Sequence, residues 1–314
     1  MIAYIIRRLL GVIPVMLVVG IFVFSLLHLA PGDPAAIIAG DNATEENIAR
    51  IRTSLGLDQP FLVQFGRWGL GVLQGDLGVS MFTNIPVTTL VAQRMEATLS
   101  LALTTMTVAI SIAVTLGVIA AWRAGSLIDR AVMALAVTSF SVPVFVVGYL
   151  LVYLFSMELR WLPVQGYKPL AAGFIDWARH LILPSLALGM AYVALIARIT
   201  RASMLEVMSE DYIRTARAKG VATLPMLLHH ALRNAAVPII TVVGIGVALL
   251  ISGVVITESV FNIPGVGRLV VDAITRRDYP IIQGVMIIFA GVYVLINLTV
   301  DILYCVIDPR IRYQ

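Results

Sequence analysis

The stretch LLGVIPVMLVVGIFVFSLLHLA, Leu9–Ala30, runs 22 residues without Asp, Glu, Lys or Arg. An α-helix needs about 20 such residues to cross the hydrocarbon layer of a bilayer, so this run reads as a membrane span. Arg7 and Arg8 precede it and Pro31-Gly32 follow it. It is longer than the roughly 7–15 apolar residues of a cleaved leader, which predicts an uncleaved span. Five further apolar runs occupy 98–122, 131–157, 181–197, 235–257 and 281–300, the last extending towards Ile307. The expected fold is an all-α polytopic membrane protein with six transmembrane helices.

Composition agrees. Only 13% of the chain is charged and 60% is hydrophobic, against roughly 25% charged in an ordinary soluble domain. The net charge of +4 is dispersed rather than gathered with aromatics into a patch, so no nucleic acid partner is expected. Orientation in the membrane accounts for the basic residues better. Six spans put both termini on one side. The short loops of that side carry Arg7, Arg8, Arg123, Arg130, Arg198, Arg201, Arg214, Arg217, Lys219, Arg233, Arg310 and Arg312, and the opposite side carries Arg160, Lys168, Arg179, Arg268, Arg276 and Arg277. The excess of positive charge predicts a multi-pass membrane protein with both termini in the cytoplasm.

Residues 31–97 form the one long polar region, which this orientation places outside, on the face opposite the termini. A helix is expected over 42–57, with Thr44 as cap, Glu45 and Glu46 in the first turn, and Ile48, Ile51 and Leu55 on one face. Pro60 opens a second, where Phe61, Phe65 and Trp68 recur near helical spacing; Gly75-Asp76-Leu77-Gly78 makes a turn, and a third helical stretch begins near Asn84 and Pro86. The expected organisation is residues 1–30 as N-terminus and first span, 31–97 as a helical insertion, and 98–314 as a five-span core containing a cytoplasmic loop at 199–234. No repeat of fixed period and no matched pair of interrupted spans marks an inverted-repeat transporter.

Chemistry-bearing motifs are sparse. A phosphate-binding loop needs Gly-Lys-Ser/Thr, and the two lysines, Lys168 and Lys219, follow no glycine. Gly-x-Ser-x-Gly and His-Glu-x-x-His are absent, and with them the commonest hydrolase and metalloprotease signatures. No catalytic residue, bound cofactor or metal site is expected. Adjacent His229 and His230 diverge by about 100° on a helix and make no i, i+4 metal pair. Cys305 stands alone and reads as a small apolar residue. Ser139, Ser141, Ser252 and Glu258 could line a polar path through the spans, although a lone serine commonly bonds its own helix. Asn297 and Asp301, four apart, read as structural. Pro143, Pro184 and Pro238 are expected to bend spans.

One polar stretch remains: Ser209-Glu-Asp-Tyr-Ile-Arg-Thr-Ala-Arg-Ala-Lys-Gly220. Its end signals are those of a short helix, with Ser209 as cap, Glu210 and Asp211 at the positive end of the dipole, Arg217 and Lys219 at the negative end, and Gly220 as the left-handed stop. At 100° per residue, Tyr212, Ile213, Ala216 and Gly220 share one arc. A second helix, starting near Thr223, leads back to the membrane.

Asp211–Gly220 and His230-Ala-Leu-Arg-Asn-Ala-Ala-Val-Pro238 resemble the cytoplasmic loop of the dipeptide/oligopeptide family of ATP-binding-cassette (ABC) import permeases. The resemblance covers nearly the whole chain. It includes Arg7-Arg8 with Pro14, His28 through Pro31-Gly-Asp-Pro34, Leu55-Gly-Leu-Asp-Gln-Pro60, Gly75–Gly78, Asn262-Ile-Pro-Gly-Val-Gly-Arg268, Arg277-Asp-Tyr-Pro280 and Asp308-Pro-Arg-Ile-Arg312. Where the broader superfamily has Glu-Ala-Ala, this chain has Arg214-Thr215-Ala216, a departure that fits the peptide-importer branch.

The resemblance implies a type I ABC importer permease fold and a transport subunit rather than an enzyme. A second, related permease would complete the pathway, two ATPase subunits would carry ATP and magnesium, and a periplasmic binding protein would deliver the substrate. The ATPase-coupling residues it implies are Asp211, Tyr212, Arg214, Thr215, Ala216, Ala218, Lys219 and Gly220. Dipeptides, short oligopeptides or glutathione are the cargo it suggests. Nickel is the rival within the family, and a self-sufficient secondary transporter or an intramembrane enzyme are the rivals outside it.

Overall fold

The computed structural model describes residues 2–29, 33, 35–36, 44–54 and 56–307. Asp308–Arg312 lies outside them. The helices are α1 (Ile2–Leu29), α2 (Glu45–Ser54), α3 (Phe61–Leu73), α4 (Val87–Trp122), α5 (Leu127–Ser141), α6 (Val144–Leu151), α7 (Phe174–Met208), α8 (Asp211–Ala218), α9 (Ala236–Val260), α10 (Val266–Arg276) and α11 (Tyr279–Ile307). Two π-helical segments, Val152–Glu158 and Met226–Leu232, extend α6 and precede α9. Among the described residues five helices are long and apolar enough to cross a membrane, or six if the bent pair formed by α5 and α6 counts as one span.

In that pair the bend expected at Pro143 divides the third span over 131–157 into two helices. Its halves, Leu127–Ser139 and Val144–Glu158, are bent by 108°. Pro143 has no N–H and disfavours helix in the residue before it; Val142 accordingly turns extended, at φ −94° and ψ 127°. A correction concerns the end of the insertion. The stretch near Asn84 is not a separate helix: Pro86 leads directly into α4, which begins at Val87, eleven residues before the apolar run. Thr88, Thr89, Arg94 and Glu96 mask those first turns in the sequence.

The chain forms two compact units. One comprises Glu96–Arg268 and Ile296–Gln314, the other Met1–Met95 and Leu269–Leu295. In the first unit α7 is the central element: 61% of its most apolar window is buried, against 17–33% in the other four single spans. Leu181, Leu183, Leu188, Ile196 and Met204 are all but inaccessible there and join one core with Leu101 and Ala109 of α4 and Leu250 and Val254 of α9. Pro184 sits inside α7 without ending it. The connection before α7 is pinned by Glu96, which accepts from Tyr167 Oη at 3.1 Å and Leu170 N at 2.9 Å. Burial pushes the Tyr167 phenol above its usual range.

In the other unit an aromatic cluster joins the end of α1 to α3: Phe24 stacks near Phe61, Phe65 and Trp68 with centroids 5.4–5.6 Å apart. The helical spacing of those three aromatics therefore serves α1. Thr44 Oγ1 accepts from Asn47 N at 3.4 Å at the start of α2, and Arg52 pairs with Asp33 at 2.5 Å. Asp278, buried at the entrance to α11, accepts from Ser80 Oγ at 2.6 Å and Met81 N at 3.2 Å. This explains the Arg277-Asp-Tyr-Pro280 motif: its carboxylate holds the loop that precedes α4.

Candidate functional site

The polar stretch around residue 214 forms α8, eight residues hung from the end of α7. Its start differs from the sequence reading. Ser209 is not the cap: it retains helical dihedrals, φ −83° and ψ −12°, and its hydroxyl donates back to Glu206 O at 2.7 Å. The N-cap is Glu210, extended at φ −69° and ψ 147°, with no side-chain cap bond. Within α8, Arg214 Nη1 donates to Asp211 Oδ1 at 3.2 Å. Both side chains are largely exposed, and a pair of this kind contributes only about 0.3–0.5 kcal/mol. Thr215 Oγ1 donates to Asp211 O at 3.0 Å.

The end of α8 is closed by a Schellman motif. Gly220 N donates to Arg217 O at 3.0 Å and Val221 N to Ala216 O at 3.2 Å, while Gly220 takes φ +80°, a conformation natural for a residue without Cβ. No atom lies within 4 Å of where a Cβ at position 220 would sit. Backbone handedness alone selects glycine there.

The four residues assigned to one arc divide. Ile213 is 1% exposed and belongs to the core with Met204, Met226, Leu227 and Ala231. Tyr212 is 42% exposed, Ala216 half-buried and Gly220 exposed. Asp211, Arg214, Thr215, Ala218 and Lys219 are exposed as well. A single key, Ile213, therefore seats α8, and its remaining surface is available to a partner. Beyond Gly220, the expected second helix is one turn, Thr223–Pro225, running into the π-helical segment Met226–Leu232. His229 and His230 are exposed on it, and no group of three His, Cys, Asp or Glu able to hold a metal occurs among the described residues.

Two residues that the sequence reading counted only as charge, or passed over, brace this element. Asp129 of α5 accepts from Arg201 of α7 twice, Nε at 2.5 Å and Nη2 at 2.7 Å, and from Gly125 N at 2.9 Å. The Asp129 side chain is 5% exposed and that of Arg201 27%. A bidentate guanidinium–carboxylate pair fixes orientation as well as distance. It ties α5 to α7 seven residues before α7 ends at Met208. The sequence signal was Ser126 three residues before Asp129, a helix-start pattern; Ser126 Oγ accepts from Asp129 N at 3.4 Å.

The four polar-path candidates take different places. Ser141 donates to Val137 O at 3.0 Å and Ser252 to Leu249 O at 3.1 Å, each within its own helix. Ser139 is half-buried on α5. Glu258 is fully buried and accepts from Thr98 Oγ1 at 2.6 Å and Arg268 N at 2.9 Å. The loop Asn262-Ile-Pro-Gly-Val-Gly-Arg268 wraps around its carboxylate. A Cβ at Gly265 would fall 2.0 Å from Glu258 Oε1, which only glycine avoids.

Comparison with known proteins bears on the whole chain. The family described as "Binding-protein-dependent transport system inner membrane component" matches residues 113–313. Its N-terminal companion, "Binding-prot-dependent transport system membrane comp, N-term", matches residues 1–102. A protein of Sinorhizobium fredii named "Probable peptide ABC transporter permease protein" is 58% identical over 99% of both chains. The glutathione transport system permease protein GsiC of Salmonella paratyphi A is 47% identical over 100% of both. Among solved structures, the inward-facing MetNI methionine ABC transporter is similar in fold, with TM-score 0.55 and 16% identity over 70% of this chain and 96% of that one. The chain belongs to the family of binding-protein-dependent transport system inner membrane components, and its role is that of an ABC importer permease, a multi-pass inner-membrane transport subunit.

Proposed function

We propose that this permease moves short peptides, glutathione among them, from periplasm to cytoplasm, driven by ATP that separate subunits hydrolyse. The relatives named for peptide and glutathione transport support the cargo. The excess of basic residues around α8 and the termini supports a cytoplasmic placement for both. The periplasmic face then carries residues 31–97, where a binding protein would dock, and a second, related permease would complete the pathway. ATP and its magnesium belong to two ATPase subunits, consistent with two lysines that follow no glycine.

The observation that carries this reading is the construction of α8. It is a short, largely exposed helix, closed by Gly220, with Ile213 as its one fully buried residue, and it directly follows the most buried of the membrane spans. Asp211, Tyr212, Arg214, Thr215, Ala218 and Lys219 offer the ATPase a docking face, Ala216 permits close approach beside it, and Gly220 fixes where it ends. Displacement of α8 passes into α7 and, through Arg201 and Asp129, into α5. Such a lever shifts the membrane helices only if the closed ATPases bind one of its positions better than the other.

The test is reconstitution in liposomes with the partner permease, ATPases and binding protein. The reading expects peptide uptake that requires all components and ATP. Gradient-driven flux through this permease without any ATPase would overturn it.

A further inference from the structure

The unit formed by Met1–Met95 and Leu269–Leu295 contains a cavity of about 330 Å³, at the lower end of the roughly 300–1,000 Å³ of small-molecule sites. Its apolar wall is Phe24, Leu27 and Trp68; its polar wall includes Gln64, Arg67 and Gln283. Gln64 spends its amide N–H groups within the protein, on Gln59 O at 2.7 Å and Leu57 O at 3.4 Å. Gln283 does not. It is 5% exposed, and its Nε2 has no hydrogen-bond partner among the described residues. An orphaned buried donor keeps the full cost of its desolvation unless something accepts from it. Among the described residues Arg67 makes no ion pair and no Asp or Glu lines the cavity. The unclaimed polar groups thus include a guanidinium and an amide N–H, the complement of an anion rich in acceptor oxygens.

Phe24 and Leu27 lie in the last two turns of α1. Just before them Leu17, Val18 and Phe22 are more than half exposed, the surface of a helix in contact with acyl chains. The cavity therefore opens where a bilayer passes from hydrocarbon to headgroup. We infer that it is a phospholipid headgroup site: the phosphodiester is held by Arg67, the Gln283 amide, whose Nε2 is covered in this structure, turns to donate to a glycerol or ester oxygen, and the first chain carbons lie along Phe24, Leu27 and Trp68. The bound lipid fastens the end of α1 to α3 and the start of α11. This inference is independent of the import reading, because it concerns neither α8 nor cargo.

The test uses the purified, assembled transporter in detergent, with thermal unfolding and native mass spectrometry after adding phosphatidylglycerol or, separately, glycerol phosphate. Phosphatidylglycerol should raise the unfolding midpoint of the wild type and appear as a retained adduct, while glycerol phosphate alone should do neither. Gln283→Leu removes the orphaned donor. Without lipid it should be at least as stable as the wild type, and it should bind phosphatidylglycerol about tenfold more weakly. Arg67→Gln, at an exposed position without bonds to lose, should fold normally and weaken binding comparably. Four results would overturn the site: no effect of phosphatidylglycerol on the wild type, undiminished lipid binding in Arg67→Gln, a Gln283→Leu variant less stable than wild type without lipid, or full stabilisation by glycerol phosphate alone.

Discussion

Replacing Gly220 with valine isolates backbone handedness from packing. The native φ of +80° lies in the left-handed region, where an L-residue costs roughly 1–2 kcal/mol and a β-branched one sits at the upper end. Nothing stands within 4 Å of the added Cβ, so crowding adds no penalty. About 2 kcal/mol corresponds to a roughly 30-fold change in equilibrium. The two bonds that close α8, Gly220 N to Arg217 O and Val221 N to Ala216 O, open in proportion, and Ala218 and Lys219 lose their fixed place. In the reconstituted transporter, Gly220→Val is expected to insert normally but to lower peptide uptake and binding-protein-stimulated ATP hydrolysis by about tenfold, within that 30-fold ceiling. Asparagine visits the left-handed region readily, so Gly220→Asn should retain activity within about threefold. Wild-type uptake by the valine variant at equal expression would refute the reasoning, and so would equal damage by asparagine and valine.

Tyr212→Ala should leave the unfolding free energy of the permease within about 0.5 kcal/mol of wild type while weakening co-purification of the ATPases. Ile213→Ala should cost about 2–5 kcal/mol, read as a lower unfolding midpoint, because Ile213 is 1% exposed. Asp129→Asn should destabilise by about 1–3 kcal/mol, less than a fully buried pair, because the Arg201 side chain retains 27% exposure. Arg201→Lys should not restore stimulated ATP hydrolysis, since an ammonium cannot reproduce the two-pronged contact. Gly265→Ala should cost at least about 1–3 kcal/mol of overpacking, because its Cβ would meet the Glu258 carboxylate at 2.0 Å; an unchanged thermal midpoint would refute that account.

The spans were legible because hydrocarbon thickness sets a length threshold that needs no knowledge of neighbours. The 22 residues of Leu9–Ala30 cross it by themselves. The bend at Pro143 was legible from the proline, but its size of 108° was not, because the flanking residues are apolar on both sides and proline is tolerated in spans as well as dividing them. A helix start near Pro86 was legible, but its continuity with the following span was not: the first turns of α4 are polar, and the apolar run begins only at Thr98. At α8 the stop was readable, since left-handed glycine is a local property. The start was not, because whether Ser209 caps one helix or closes the previous one depends on where α7 ends. Glu258 illustrates a deeper limit. Its partners, Thr98 and Arg268 N, are 160 and 10 residues away, and no local pattern announces a carboxylate around which a loop is folded.

The bond between Ser80 and Asp278 spans 198 positions of the chain. At a synthesis rate of about 5–20 residues per second, Asp278 emerges roughly 10–40 s after Ser80. Met1–Met95 shares its compact unit with Leu269–Leu295, so the first third of the polypeptide reaches the membrane with part of its own interior still untranslated. For that interval the loop at 75–87 lacks the Asp278 carboxylate and keeps local bonds such as that from Gly78 N to Asp76. A ribosome that stalls between these points leaves behind a nascent chain with several inserted spans and an unfinished first unit, a substrate for membrane proteases until residue 278 arrives.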